Sequence, residues 1–242
     1  MKLQVSNGFL LVLFSVIGLY GQSTDHIQES RYKPFTVLII SPDTAQIDDS
    51  LNFHTESIEK EFKSSFYKIL DEFEQKRNGD GNDDNEKLLT ETVISRARWF
   101  DTDVTRFKYY HMISIGTFVS LKEDFQRYPW ERAGSLDCQI VNRKDLDSED
   151  MVQLTKDHEI DYVIYFKDIH ADRYADSFIM YMTTYLFSKY DSKVIMKKKA
   201  FGEADESFCE LYKQNPLECM MTRILNESTS DLFEKLNELQ KR

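Results

Sequence analysis

Apolar and polar positions divide the chain into segments with two different periodicities. Residues 37–40, Val-Leu-Ile-Ile, are continuously apolar, which is typical of a strand covered on both faces. From Ile47 to Phe73, apolar side chains recur at steps of three and four residues. This second pattern predicts one long helix, buried along a single stripe and ending near Arg77.

The corner between this strand and this helix contains a Pro-Asp-Thr break. Pro42 ends the strand, and Asp43 with Gln46 three residues later forms a variant of the capping box. The pattern therefore predicts Asp43 as the N-cap of the helix. Because its side chains are already used for strand exit and helix capping, we expect the corner at residues 42–46 to be scaffold only.

The middle of the chain is less regular. Residues 78–86, Asn-Gly-Asp-Gly-Asn-Asp-Asp-Asn-Glu, form a flexible acidic loop in this interpretation, and residues 88–97 carry a weaker helical pattern. The alternation of apolar residues within 109–121 predicts a strand. A short strand is expected at residues 138–141.

The last hundred residues predict a helix, three strands and a helical C-terminus. Ser148 is expected to cap a short helix, which a nearly continuous apolar strand follows at residues 161–169. Residues 177–187 and 193–202 flank a turn-forming Lys-Tyr-Asp-Ser-Lys stretch and predict a hairpin. Helical pattern begins again at Leu217.

We expect a break in this last helix within residues 226–230, followed by a second capping box formed by Ser228 and Asp231. The order of elements predicts an α/β (α+β) fold with a single mixed β-sheet, helices packed on it, and a C-terminal β-meander followed by a C-terminal helix. We expect one domain over residues 35–242, preceded by an N-terminal extension at residues 22–34.

The N-terminal residues 1–21 have the layout of a secretory signal peptide. Lys2 precedes an apolar run from Phe9 to Tyr20, and small residues lie near its end at Gly18 and Gly21, just before Gln22. The run is about a dozen residues, whereas a membrane-spanning helix needs about 20, so a membrane anchor is the weaker interpretation. We expect a secreted or periplasmic protein with no transmembrane segment in its mature chain.

The overall charge restricts the classes of molecule that the protein is expected to bind. The 242-residue chain has a formal net charge of −11, which repels phosphate backbones. The run Lys197 to Lys199 is too short to outweigh that charge and is expected on a solvated strand edge. Nucleic acid is therefore not an expected partner.

Asp168, His170 and Asp172 occupy alternate positions at the end of the predicted strand. If the strand continues through them, all three side chains point the same way and offer ligands for a metal ion. The competing interpretation is a polar hairpin end, because the pattern contains no fourth ligand. No cofactor is expected.

The acidic loop offers a weaker candidate for calcium. Positions 1, 3, 5, 7 and 12 of an EF-hand-like loop carry Asp, Asn or Glu. Position 6, however, is Asn85 instead of Gly, and position 8 is Lys87 instead of an apolar residue. A solvated linker is the competing interpretation. The candidate ligands are Asp80, Asn82, Asp84, Glu86 and Glu91.

Three cysteines in an exported chain cannot all pair within it. Cys209 and Cys219 lie on either side of the turn-forming Asn215-Pro216, so we expect a disulfide between them, with two buried thiols as the alternative. Cys138 would then be left as a thiol or pair between chains.

Three stretches resemble the α/β domain of bacterial envelope proteins of the TolB amino-terminal and CsgG type. Residues 36–42 resemble the first strand of those domains and its Pro exit. Ile160 to Phe166 match a helix leading into an Asp-Tyr-Val strand, and Asp191 with Ser192 match an Asp-containing hairpin turn. The acidic loop, the irregular middle and the lack of a Cys for lipid attachment depart from that pattern. The resemblance implies a partner-binding domain without enzymatic activity.

The leading functional hypothesis is therefore an exported envelope or secreted protein that binds another such protein as an accessory domain. The alternative is a secreted metal-dependent hydrolase that uses Asp168, His170 and Asp172.

A first prediction concerns export. The mature protein should begin near Gln22, because Gly21 supplies the small residue before the cleavage site. N-terminal sequencing of protein recovered from outside the cytoplasm tests this expectation. Recovery of that protein with Met1 intact would contradict it.

Overall fold

The computed structural model describes residues 35–64, 107–127, 136–142, 148–157 and 159–240. The chain divides into two compact units, Met1–Ile27 with Phe53–Tyr109, and Gln28–Asn52 with Tyr110–Arg242. Most of the first unit lies outside the described residues, so the expectation of a single domain over residues 35–242 stays a prediction. The signal peptide, the extension at residues 22–34, the loop at 78–86 and the helical pattern at 88–97 also lie outside them.

In the first unit, the described residues form one helical stretch and a short neighbouring segment. Residues 52–64 are helical and form α1, and all of them but the first belong to this unit. The rings of Phe62 and Phe107 stack at a centroid distance of 3.8 Å. Glu59 accepts hydrogen bonds from the Tyr109 amide and the Lys108 ammonium, both at 3.3 Å.

A mixed β-sheet forms the centre of the second unit, with strand order β3-β1-β4-β5-β6 and with β2 beside β4. β1, β3 and β4 are parallel, whereas β4, β5 and β6 form an antiparallel meander. This confirms the predicted mixed sheet and the C-terminal meander. The strands are Phe35–Ser41 (β1), Gln46–Ile47 (β2), Leu136–Asn142 (β3), Tyr162–Tyr174 (β4), Ser177–Ser188 (β5) and Lys193–Asp205 (β6).

Helices cover both faces of this sheet because its central strands are apolar on both sides. The helix α3 packs through Met151 and Leu154 against a buried cluster that includes Leu38 and Val163. On the opposite face, α2 approaches β1, where the Ser41 and Ser114 hydroxyls bond at 2.8 Å. The C-terminal α5 packs against β5 and β6 on that same face. The helices of this unit are His111–Arg127 (α2), Ser148–Asp157 (α3), Glu206–Tyr212 (α4) and Pro216–Gln240 (α5).

The strand predicted at residues 109–121 is wrong, because this segment forms most of α2. Its β-branched residues alternate with others and imitate a strand. In the helix, however, the small residues Ser114 and Gly116 are buried against β1 and α5, respectively. Tertiary packing of this small-residue surface therefore overrides the local strand preference.

The predicted N-cap at Asp43 is also wrong. Gln46–Ile47 form β2, and the helical turn at Asp49–Leu51 begins five residues later than a cap at Asp43 would place it. The cap is Asp48, whose carboxylate accepts from the Ser50 amide at 2.8 Å. Hydrogen bonds from the Ser50 side chain and backbone lower the pKa of Asp48.

The break predicted within residues 226–230 is absent, since α5 is continuous from Pro216 to Gln240. Ser228 does not cap a second helix; its buried hydroxyl lies 2.7 Å from that of Thr184 in β5. The Thr229 hydroxyl donates to the Leu225 carbonyl at 2.6 Å. These hydroxyls therefore find partners inside the fold and do not interrupt the helix.

A second prediction concerns the close approach of α5 to β6. A Cβ atom at Gly202 would overlap the backbone carbonyl oxygen of Met220, which cannot move away without shifting α5. Gly202→Ala should therefore lower the free energy of unfolding by about 1–3 kcal/mol in urea titrations.

Gly116→Ala provides the matched control. Its added Cβ meets only the end of the Leu225 side chain, which can change rotamer. Ala also favours the helix by up to about 1 kcal/mol over Gly. Equal losses in the two variants would show that contact with the backbone is not what excludes a side chain at Gly202.

Candidate functional site

One surface of the β4–β6 meander combines exposed aromatic rings with lysines. The pairing of β4, β5 and β6 aligns these rings and lysines in three adjacent cross-strand rows. The rows lie on the face of the sheet against which α3 packs, but α3 covers this face only near the start of β4. We call this surface the lysine–aromatic face. It consists of Tyr165, Lys167, Tyr181, Tyr185, Lys197, Lys199 and Phe201.

The rings of this face make direct contacts across the strands. Tyr165 and Tyr185 stack at 4.8 Å with an interplanar angle of 6°. Tyr181 and Phe201 lie 5.4 Å apart and remain 44% and 45% exposed, respectively. Burial, with a smaller contribution from Tyr185, raises the pKa of Tyr165. These contacts hold the rings in fixed positions while leaving part of their surface available to a partner.

Two lysines of this face lie over aromatic rings, and none of its three lysines pairs with an acidic side chain among the described residues. The Lys197 ammonium lies 5.3 Å from the centre of the Tyr185 ring, and that of Lys167 lies 5.8 Å from the Tyr165 ring. Lys198, on the opposite side of β6, behaves differently, because it pairs with Asp231 at 2.8 Å and Glu227 at 3.5 Å. The Asp231 contact, above all, raises the pKa of Lys198.

Sequence reasoning placed Lys197 to Lys199 on a solvated strand edge and missed their grouping with aromatic rings. β6 does lie at the end of the strand order, but alternate lysines of the run point to opposite faces. The sequence did contain one signal for this grouping. Lys197, Lys199 and Phe201 occupy alternate positions of the predicted strand and therefore lie on the same face of it. The pairing of those positions with Tyr185 and Tyr181 of β5 was not contained in the sequence pattern.

A cavity of about 350 Å³ lies at the carboxyl end of β1 and shares Tyr165 and Lys167 with the lysine–aromatic face. Its described walls are residues 40–46 after β1, residues 165–170 of β4, and Met151 in the first turn of α3. The corner that the sequence indicated as scaffold therefore forms one wall of this cavity. The lining is rich in polar and charged residues.

The candidate metal ligands Asp168, His170 and Asp172 lie on β4, but the strand is irregular there. The β4–β5 register shifts between Lys167 and His170, and Asp168 has a positive φ of 54°. This bulge breaks the strict alternation on which the metal hypothesis depended. The Asp168 carboxylate accepts from the Thr183 hydroxyl at 3.1 Å. Across the described ranges, no three His, Cys, Asp or Glu residues are grouped to hold a metal ion.

The calcium candidates in the acidic loop fall outside the described residues, so their interpretation stays a prediction. They are Asp80, Asn82, Asp84, Glu86 and Glu91.

The thiols of Cys209 in α4 and Cys219 in α5 interact with each other, and both residues are free thiols in the structure. The Cys219 thiol also donates to the Gln214 side-chain carbonyl at 3.3 Å. Burial, followed by the contact with Cys219, raises the pKa of Cys209 to about 12. The expected disulfide stays a prediction, but the sulfurs already lie together.

Comparisons with known proteins show only weak similarity. No protein-family model matches the chain, and no curated protein matches it. The C-terminal domain of LpoB from Salmonella enterica is 10% identical, with a TM-score of 0.23 over 80% of this chain and 95% of that one. The corresponding domain from Escherichia coli is 11% identical, with a TM-score of 0.22 over 78% and 93%. The resemblance to the TolB and CsgG type stays a prediction.

No helix within the described ranges is both long enough and apolar enough to cross a membrane.

A third prediction concerns the cysteine pair. In an oxidising compartment the contacting sulfurs should form a disulfide that stabilises the fold by about 2–3 kcal/mol, because it closes a short loop in the unfolded chain. Peptide mapping of non-reduced protein should recover a fragment that links Cys209 to Cys219. Cys219→Ser should abolish this fragment and remove the stabilisation. Free thiols at both positions, or Cys138 joined to either, would contradict the pairing.

Proposed function

We propose that the protein is exported and serves as an accessory domain that binds an acidic surface of another secreted or envelope protein. In this proposal the lysine–aromatic face is the binding surface, and the domain performs no chemistry of its own. The observation that carries the proposal is the presence of lysines without acidic partners between exposed rings on a rigid sheet.

The aromatic rings supply the apolar part of such an interface. Tyr181 and Phe201 each keep more than two fifths of their surface exposed, and their mutual contact restricts their movement. Rigid aromatic side chains lose little conformational entropy on binding and are enriched among the residues that dominate binding energy. The exposed rings therefore fit the centre of an interface.

The lysines define the charge of the partner. The chain as a whole has a net charge of −11, yet Lys167, Lys197 and Lys199 lie together on one face, where Asp168 contributes a carboxylate through its bond to Thr183. A complementary acidic surface would be steered towards this face and repelled by most of the remaining surface. The same overall charge disfavours nucleic acid, which extends well beyond the area of three lysines.

Export is supported by the signal-peptide pattern of residues 1–21. An accessory role is what the resemblance to envelope α/β domains implies. The binding proposal itself depends on neither, because it is argued from the residues of the lysine–aromatic face.

A fourth prediction tests this face with single substitutions. Immobilised protein should retain one or more acidic proteins from an envelope or secreted fraction of the source organism. Phe201→Ala and Lys199→Glu should each reduce that retention about tenfold, which corresponds to the loss of an interfacial anchor of about 1.4 kcal/mol. Quantitative mass spectrometry of the retained proteins provides the measurement.

The controls remove a ring and reverse a charge elsewhere. Phe208→Ala truncates a 51% exposed ring on α4, and Lys213→Glu changes a lysine that follows α4. Both should leave retention unchanged. A partner that is lost equally in the control variants, or that is basic, would contradict the proposal. Tighter binding of a single-stranded oligonucleotide than of the retained protein would do so as well.

A further inference from the structure

The cavity at the carboxyl end of β1 lies where the parallel ladder between β4 and its neighbours is interrupted. β1 pairs with β4 up to Ile39 opposite Ile164, and β2 resumes the pairing at Gln46 opposite His170. Between these two points, residues 165–169 of β4 have no strand partner on that side. The sheet therefore contains an internal gap.

Two ladder-breaking features lie on opposite sides of this gap. Pro42 follows β1 and has no amide hydrogen to donate. Asp168 adopts a left-handed conformation at the bulge of β4. Both residues line the cavity that lies between the two chains.

The gap presents backbone polar groups to the cavity. Phe166 and Ile169 line the cavity while their side chains are buried, which leaves their backbone to form this wall. Unpaired backbone amides and carbonyls in a strand favour an extended ligand that carries an amide of its own. This wall is therefore suited to a peptide-like group.

The side chains around the gap carry both signs of charge. Asp43 lies on the β1 side and Lys167 on the β4 side, where His170 also lines the cavity. Asp168 also lines the cavity, but Thr183 occupies one of its carboxylate oxygens. A ligand with an ammonium group and a carboxylate group at opposite ends would match Asp43 and Lys167, respectively.

Size and position agree with a small ligand. A volume of about 350 Å³ lies at the lower end of the range for small-molecule sites. The cavity is outside the carboxyl end of a parallel strand and beside the first turn of a crossover helix, which is where open α/β sheets bind ligands. We propose that this cavity binds a zwitterionic ligand of the size of an amino acid or dipeptide.

A fifth prediction tests this site by titrating isotope-labelled protein with alanine, leucine, alanyl-alanine and glycyl-leucine while recording amide NMR spectra. At millimolar concentrations at least one of these probes should shift the amides of residues 41, 43–46 and 166–170. The amides of Tyr181, Lys199 and Phe201 should not move. No shift with any probe, or shifts confined to other residues, would overturn the proposal.

Matched ligands and variants test the charge assignment. The acetylated and amidated form of the bound dipeptide, or of the bound amino acid, lacks both charges and should bind at least tenfold more weakly. Asp43→Asn and Lys167→Gln should each weaken binding of the charged probe about tenfold. Lys199→Gln removes the same charge as Lys167→Gln outside the cavity and should have no effect. Equal binding of the blocked ligand would overturn the proposal.

The variants also separate this site from the protein-binding face. Lys199→Glu and Phe201→Ala should reduce retention of the protein partner and leave probe binding intact, whereas Asp43→Asn should do the reverse. Thermal unfolding of each variant establishes that it is folded before binding is compared. Loss of probe binding in the folded Phe201→Ala variant would show that the probe does not occupy the cavity.

Discussion

The buried carboxylate of Asp161 connects three separate parts of the sheet. It is only 3% exposed and accepts hydrogen bonds from the Thr36 amide and hydroxyl at 3.1 and 3.0 Å and from the Tyr190 hydroxyl at 2.7 Å. Its backbone bonds to Thr36 and Lys189. The bond to Asp161 is the main reason why the pKa of Tyr190 rises to about 12. A buried charge is costly without such partners, so Asp161 fixes the starts of β1 and β4 and the β5–β6 turn together.

Both candidate surfaces depend on the alignment that Asp161 sets. The bonds to Thr36 place Val37 opposite Tyr162, and this register determines which part of β4 is left without a partner when the chain leaves β1. The bonds to Tyr190 and Lys189 hold the turn of the meander whose rows form the lysine–aromatic face. One central strand therefore contributes to a cavity along its edge and to a binding surface on its face.

The interpretation of charge changes once contacts are known. A chain with a net charge of −11 suggests a uniformly acidic surface, and a run of three lysines suggests simple solvation. In the fold, the middle lysine is paired with Glu227 and Asp231 of α5, while Lys197 and Lys199 lie on the opposite face, with Lys197 over the Tyr185 ring. The distribution of charge between the faces is what distinguishes a specific partner from a general polyanion.

The sequence by itself determined the elements whose signals are local. The continuous apolar runs of β1 and β4 and the turn between β5 and β6 lie within single segments, and so does the start of α3 at Ser148. The tertiary structure alone decided that residues 111–121 are helical, that α5 continues through Ser228, and that Asp48 is the cap in place of Asp43. It also decided the gap beside β4. Each of these outcomes depends on groups brought together from distant parts of the chain, such as Ser41 with Ser114 and Thr184 with Ser228. Packing and hydrogen bonding between such groups outweigh the small energy differences between local conformations, and a local pattern does not contain them.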